Sequence, residues 1–331
     1  MLELKGQEAA GGWLAQIAAA RPPGRVFLFW GPAGAGKGQA ALALAAAWLC
    51  QNGPGREPCQ SCPACRKFRA GSHPDLIWLR LEEDKKKISI GQARELKRWL
   101  NFPPAEGPTR VVLIPEAETL SLEAANSLLK TLEEPPADTL TVLTAVDPEA
   151  LPATILSRCQ KIFFKPLAQD IVAAELGQRL SSEPAQARLG AALAGDSLEA
   201  ALELDLKTAL DWRGQILEQL AGLGPAQAER LLDMAEQVAA KPEQAPLFLN
   251  LAAAWYRDLL FLASGGSAAG LANSDLAQKL TSLAGQAPAQ SWAQRLEAVF
   301  EAQAGLAAWA NLRLTVEALL LRLAPDRAGV Q

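Results

Sequence analysis

The chain has 331 residues, half of them hydrophobic, and 32 basic against 36 acidic side chains give it a formal net charge of −4. That length holds two or three domains with a sizeable core. The acidic balance excludes a chain-wide basic face, so any nucleic-acid contact must be local or shared with partners. No apolar run is long enough to span a bilayer. Met1-Leu2-Glu3-Leu4-Lys5 lacks the basic-then-apolar order of a secretory signal, and the cytoplasm is the expected compartment.

In chain order, Val26–Trp30, Leu76–Leu81, Arg110–Ile114, Leu140–Ala145 and Ile162–Phe164 read as strands. Gln39–Leu49, Ile90–Trp99 and Leu122–Leu132 read as helices between them. Strands interleaved with helices predict a parallel, doubly wound α/β sheet. Past Pro166 almost everything to Leu323 reads as helix. Leu202, Leu206, Leu210, Leu217 and Leu220 make one apolar run; Leu247, Leu251, Trp255, Leu259 and Leu262 make another. Gly195-Asp196-Ser197 and Leu223-Gly224-Pro225 punctuate this region. Ser264-Gly265-Gly266-Ser267 reads as a short flexible loop, and Asp326–Gln331 as a frayed end. The expected fold class is therefore α/β followed by all-α. Its expected domains are a P-loop module over 1–166, a small helical domain over 167–205 and a helical bundle over 206–331.

The first strand runs into Gly31-Pro32-Ala33-Gly34-Ala35-Gly36-Lys37-Gly38, and a helical segment follows. Strand, glycine loop and helix is the setting of a phosphate-binding P-loop. Gly31, Gly34 and Gly36 let backbone N–H groups point inward, and Lys37 reaches the β- and γ-phosphates. The motif also wants Ser or Thr after the lysine to hold Mg²⁺, and this chain has Gly38. A second metal donor belongs at the end of an apolar strand. There, after Val111-Val112-Leu113-Ile114, stands Pro115, with Glu116 next to it. Two independent parts of a magnesium site are missing together, which points to a loop that no longer supports hydrolysis; the bland alternative is a tight turn. Whether ATP or ADP still binds is left open, and Mg²⁺ is not expected.

Cys50, Cys59, Cys62 and Cys65 follow the pattern C-x8-C-x2-C-x2-C. Four thiolates at this spacing close a tetrahedral zinc site with no open position, hence a structural one, inserted in the first module over residues 50–65. Pro54, Gly55 and Pro58 suit the loop that brings Cys50 round. Four reduced, unliganded thiols are the bland alternative, and an iron–sulfur cluster is a lesser one, since nothing else suggests redox work. Cys159 stands apart and reads as a buried thiol.

These features, in this order, resemble the bacterial DNA polymerase III clamp-loader subunits of the AAA+ class, and among them the delta-prime type. Gly6-Gln7-Glu8 matches the family's N-terminal box, and Gly71-Ser72-His73-Pro74-Asp75-Leu76 looks like its His-Pro-Asp segment. Ala125-Asn126-Ser127-Leu128-Leu129-Lys130-Thr131-Leu132-Glu133-Glu134-Pro135-Pro136 is the most specific stretch. Asp147-Pro148 and Leu151-Pro152-Ala153-Thr154-Ile155-Leu156-Ser157-Arg158-Cys159 complete the match, which is dense from Gly6 to Cys159 and weak beyond.

The resemblance implies an AAA+ module, a helical lid and a collar that assembles with gamma/tau and delta subunits to place a sliding clamp on primer-template DNA. It gives Ser157 and Arg158 a role: the arginine reaches in trans into the ATP site of a neighbouring subunit. By residue type alone, Arg158 would be a surface arginine in a salt bridge. Val146, where a polar phosphate sensor is expected, and the missing arginine near Gly195-Asp196-Ser197-Leu198-Glu199 extend the losses already seen at Gly38 and Pro115. The expectation is a brace without ATPase activity of its own. Its alternatives are an active gamma-type motor and a zinc-dependent nucleic-acid-binding module. His73 reads as structural, Lys85-Lys86-Lys87 as a solvated loop, and Trp99 and Trp255 as packing. Lys130 is the exposed residue to test for a DNA or inter-subunit contact.

Overall fold

The computed structural model describes residues 4–52, 57–195, 197–221 and 228–324. Pro54 and Gly55, Asp196, Leu223-Gly224-Pro225 and the C-terminal 326–331, all singled out above, lie outside them. Two compact units meet in sequence at Leu167 and Ala168.

The first unit carries five parallel strands: β1 Arg25–Trp30, β2 Leu76–Trp78, β3 Arg110–Ile114, β4 Thr139–Ala145 and β5 Gln160–Phe163. Their spatial order is β2-β3-β4-β1-β5. The connecting helices are α1 Glu8–Ala20, α2 Lys37–Leu49, α3 Pro63–Arg69, α4 Ile90–Leu100, α5 Leu122–Glu133 and the short α6 Ala153–Leu156. Central strands of a parallel sheet are covered on both faces and so read as continuous apolar runs. β3 is buried at every residue. One apolar cluster joins α1 and α2 to Phe27, Phe29, Val111 and Val142; a second joins α4 and α5 to Val26, Leu28, Val112 and Leu143. The alternation along each strand thus feeds the two faces.

The helix starts follow local chemistry. Ser89 and Gln92 form a capping box at the head of α4, and the Ser121 hydroxyl accepts the Ala124 N–H at the head of α5. The third predicted helix runs one residue further than expected and stops before Pro135-Pro136, which cannot continue it. The second predicted strand is shorter than expected. Leu79 N–H still donates to Leu113 O, but Arg80 O is taken by the Gln92 side chain and the chain leaves the sheet.

The second unit is all helical: α7 Gln169–Leu180, α8 Pro184–Leu193, α9 Leu198–Glu203, α10 Leu206–Ala221, α11 Ala228–Ala239, α12 Ala245–Ala263, α13 Ala277–Ala284, α14 Ala289–Ala307 and α15 Leu312–Leu323. The helix α12 is apolar on most faces and lies buried, as such a composition requires. Phe248, Leu251, Trp255 and Leu259 carry it into a cluster with Val299, Leu320 and Leu217. Asp258 is a buried carboxylate in that helix. It accepts the Ala272 and Asn273 N–H groups at 3.1 and 2.8 Å and the Asn273 side-chain amide at 2.8 Å, which offsets its desolvation. At Ser264–Ser267, expected as a short flexible loop, the chain turns out of the end of α12. Gly265 takes φ +87°, its N–H bonds Leu262 O, and the Gly266 N–H bonds Phe261 O.

Candidate functional site

The glycine loop leaves β1 at the carboxyl end of the sheet, the end where ligands of open α/β sheets bind. Gly31 has φ +143°, and a Cβ there would lie 2.0 Å from Phe164 O. The residue is therefore glycine because β5 passes too close for anything larger. Gly34 and Gly36 have φ values of +71° and +86°, and Gly36 caps α2. Lys37 is buried at the head of that helix, and its Nζ donates to Gly31 O at 2.7 Å and Pro32 O at 2.6 Å. The ammonium is turned onto the carbonyls of its own loop. The loop, the lysine and the helix start fit a phosphate-bearing ligand.

The expected magnesium donors do not fit. Gly38 offers no oxygen, although a Cβ there would meet nothing within 4 Å, so packing does not demand the glycine. Pro115 follows β3 without a carboxylate. The turn after it ties two strand ends together: Glu116 N–H donates to Thr144 Oγ1 at 3.2 Å, and Glu118 accepts the Val146 N–H at 3.0 Å. Both acidic side chains thus sit on a strand-linking turn, a role for Glu118 that spacing alone did not reveal.

Gln7 is a second residue that sequence reasoning left without a role. It is buried, its amide donates to Ala35 O at 3.1 Å and Lys165 O at 2.6 Å, and its carbonyl accepts the Lys165 N–H. One side chain thereby pins the glycine loop to the exit of β5. Its signal was the Gly6-Gln7-Glu8 box. Replacing Gly31 with alanine should disturb this same junction. Loss of about 3 kcal/mol is expected from the clash and the unfavourable φ together, read as a lower urea midpoint; an unchanged midpoint would mean the β1–β5 spacing is not fixed as described.

Arg158 lies two residues before β5, and therefore at the amino end of the sheet. Its own glycine loop lies at the carboxyl end, about 20 Å away by the rise of a six-residue strand. The guanidinium bonds Glu133 Oε2 through Nε at 3.1 Å and Nη2 at 2.7 Å, and bonds Thr154 O through Nη1 at 2.9 Å. Nη1 also reaches Ser157 Oγ at 3.4 Å. Arg158 is partly exposed and Glu133 largely so. The structure thus brings Ser157, Arg158 and Glu133 together and keeps them apart from Gly31, Gly34, Gly36 and Lys37. Cys159 beside them is buried, which pushes its thiol up to about 12 and leaves it inert at neutral pH.

Cys50, Cys59, Cys62 and Cys65 place their sulfurs within 4.8 Å of one another, with Cys59 and Cys65 at 3.9 Å. Four sulfurs at tetrahedral zinc would lie about 3.8 Å apart, given Zn–S bonds of about 2.3 Å. The set is thus nearly assembled and fits the metal. The N–H groups of Cys59, Cys62 and Cys65 point at the sulfurs of Cys50, Cys59 and Cys62, each at 3.4 Å. Hydrogen bonding, from the Ser61 hydroxyl first, holds the Cys59 thiol down to about 5, while burial pushes Cys65 up to about 12. A metal ion would have to release protons from such a set.

His73 is structural in its contacts. It is buried, and its Nδ1 accepts the Asp75 N–H at 3.1 Å. Asp75 in turn accepts the Ala105 and Glu106 N–H groups at 2.5 and 2.9 Å. Burial lowers the His73 pKa, with Asp75 and Glu106 opposing. A depressed folded value means the contribution to stability is present above the ordinary histidine value and lost as pH falls below it. Because His73 is the only histidine, one imidazole resonance should titrate with a midpoint below 6.5; a midpoint at or above it would contradict this burial. Lys85 and Lys86 are exposed, Lys87 donates to Glu118 O, and Trp255 is core. Trp99 stacks under Arg110, its ring centre 5.3 Å from the guanidinium carbon. No helix among the described residues is long and apolar enough to cross a membrane.

Residues 6–168 match the family described as DNA polymerase III, delta subunit. The DNA polymerase III subunit delta' of Bacillus subtilis is 32% identical over 302 residues, covering 90% of each chain. That of Escherichia coli is 41% identical over 133 residues, 40% of each chain. The DNA polymerase III subunit tau of B. subtilis is 34% identical over 197 residues, which are 58% of this chain and 34% of tau, so the likeness spans about a third of that longer relative.

Proposed function

The chain belongs to the family of DNA polymerase III delta-prime subunits, components of the clamp loader, and from that membership we propose that it works there as a non-hydrolysing subunit that lends Arg158 to a neighbour's ATP site. The observation that carries this reading is the absence of magnesium donors from both expected positions, Gly38 and Pro115, beside a glycine loop whose shape is intact. A loop that can cradle phosphate but cannot place the metal has lost the electrostatics of phosphoryl transfer.

The trans role is supported by the position of Arg158 at the amino end of the sheet. From there it cannot serve its own loop, so any γ-phosphate it meets belongs to another chain. On this reading Ser157 holds the arginine, gamma/tau and delta subunits are the neighbours, and the sliding clamp and primer-template DNA are engaged through the assembly in the cytoplasmic replisome. Residues 167–205 act as the lid and 206–331 as the collar. The cysteine cluster holds one structural zinc ion, which would fix the chain between α2 and α3.

ATP turnover with Mg²⁺ tests the proposal, first on this chain alone and then with its partners, clamp and primed DNA. No turnover alone and an Arg158-dependent rate in the mixture are expected. Turnover by the pure chain would replace the brace with a gamma-type motor. Gly38→Thr sharpens the test. A Cβ there would meet nothing within 4 Å, yet turnover should stay absent, because Pro115 still withholds the second donor.

A further inference from the structure

One of the two edge strands of the first unit's sheet is β2, and no described strand pairs with its outer edge. Leu79 N–H donates to Leu113 O and Asp75 O accepts the Val111 N–H, so odd-numbered residues face β3. By strand parity the backbone groups of Trp78 and the carbonyl of Leu76 point outward. Proteins usually blunt such an edge, because it templates pairing with another chain. Here the edge opens onto a groove of about 940 Å³ between β2, the segment after it and α4. Its floor is apolar: Ile77, Leu81, Leu96 and Trp99, with Trp78 40% exposed at the lip. Its rim carries Glu82, Glu83 and Glu95 against a single cation, Arg80, which itself stacks on Trp78.

We propose that this edge and groove bind an extended, basic segment of a partner protein, added to the sheet as a short sixth strand beside β2. Pairing with Trp78 and Leu76 would supply main-chain hydrogen bonds, and alternate side chains would reach the apolar floor or the acidic rim. The occupant is basic because three carboxylates face it and one guanidinium opposes them. It is extended because the unpaired groups form a strand edge. The site requires neither the glycine loop nor Arg158.

The test uses the full chain and a fluorescent peptide of alternating lysine and valine. Its comparisons are the same peptide with glutamate for lysine, and one N-methylated on every amide so that neither edge can donate a main-chain hydrogen bond. Anisotropy should show saturable binding of the basic peptide. It should be weakened about tenfold or more by Glu95→Lys, by Glu82→Lys, and by N-methylation. Both glutamates are exposed, so these variants should fold, which an unchanged melting midpoint checks. The Trp78 amide should exchange more slowly with solvent in the complex. Failure to bind, equal binding of the acidic peptide, or binding indifferent to N-methylation with no protection at Trp78 would each overturn the proposal.

Discussion

Replacing Arg158 with alanine is expected to slow ATP hydrolysis at the neighbouring subunit's site by about 10³-fold or more while leaving this chain folded. Arginine fingers contribute about 10³–10⁵ in rate, and each factor of ten is about 1.4 kcal/mol of barrier. The effect expected at the transition state is therefore about 4 kcal/mol or larger. The competing reading is the ion pair with Glu133, which the structure does contain. An ion pair this exposed is worth about 0–1 kcal/mol of stability. The two readings thus differ in size and in observable. A finger gives a large loss in single-turnover hydrolysis by the assembled complex and almost no change in the melting of the isolated chain. A purely structural arginine gives a small change in melting and an unchanged rate. Arg158→Lys refines the comparison, because it keeps a positive charge but loses the planar fork. It should recover only part of the rate. Glu133→Gln removes the tether without removing the finger, so hydrolysis should survive it. An unchanged rate in Arg158→Ala would end the trans assignment.

What the sequence made legible follows from how strongly each feature is forced. Val26–Trp30 and Val111–Ile114 are apolar at every position, a pattern that buried parallel strands impose, and both strands lie within a residue of where they were expected. The ends of α4 and α5 were readable because Ser89, Ser121 and Pro135 each have a local reason to be there. α1 was not. Its helix carries Gly11 and Gly12, and Gln7 before it makes no side-chain cap, so only its packing against the sheet defines it. The same limit applies to the site. Gly31 was visible as part of a motif, but the reason for it is the Phe164 carbonyl, more than a hundred residues away in sequence. Gln7 holding Lys165, Glu118 holding Val146 and Glu133 holding Arg158 are contacts between distant segments, and no spacing rule encodes them.

Metal analysis of the purified chain is expected to find about one zinc ion, and its removal to open the segment from Cys50 to Arg69 while the sheet stays folded. Structural zinc sites have apparent binding free energies of about 10–16 kcal/mol in small peptides, more than a segment this small could regain by packing. Within the cluster itself the apolar contacts are few: Ala64 and the cysteines are nearly all that packs there. The anchors to the rest of the unit are limited: Phe68 of α3 packs, half-buried, against the cluster of α1, α2 and the sheet, and the others are polar. Arg21 donates to Ala47 O at 2.6 Å and Cys50 O at 2.9 Å at the end of α2, and Lys67 pairs with Glu106. The core of the sheet draws on neither, since it closes on α1, α2, α4 and α5. Opening should therefore be local. The helix α3 carries Arg66, Lys67 and Arg69 in its last turn, so trypsin supplies the readout. With zinc bound these bonds should resist cleavage. After a strong chelator, or in Cys62→Ser/Cys65→Ser, α3 should be cut rapidly while the 76–163 region survives. Readdition of zinc should restore protection to the wild type but not to the double variant. A metal-free chain whose α3 resists trypsin as well as before would show that the four sulfurs lie together for packing alone.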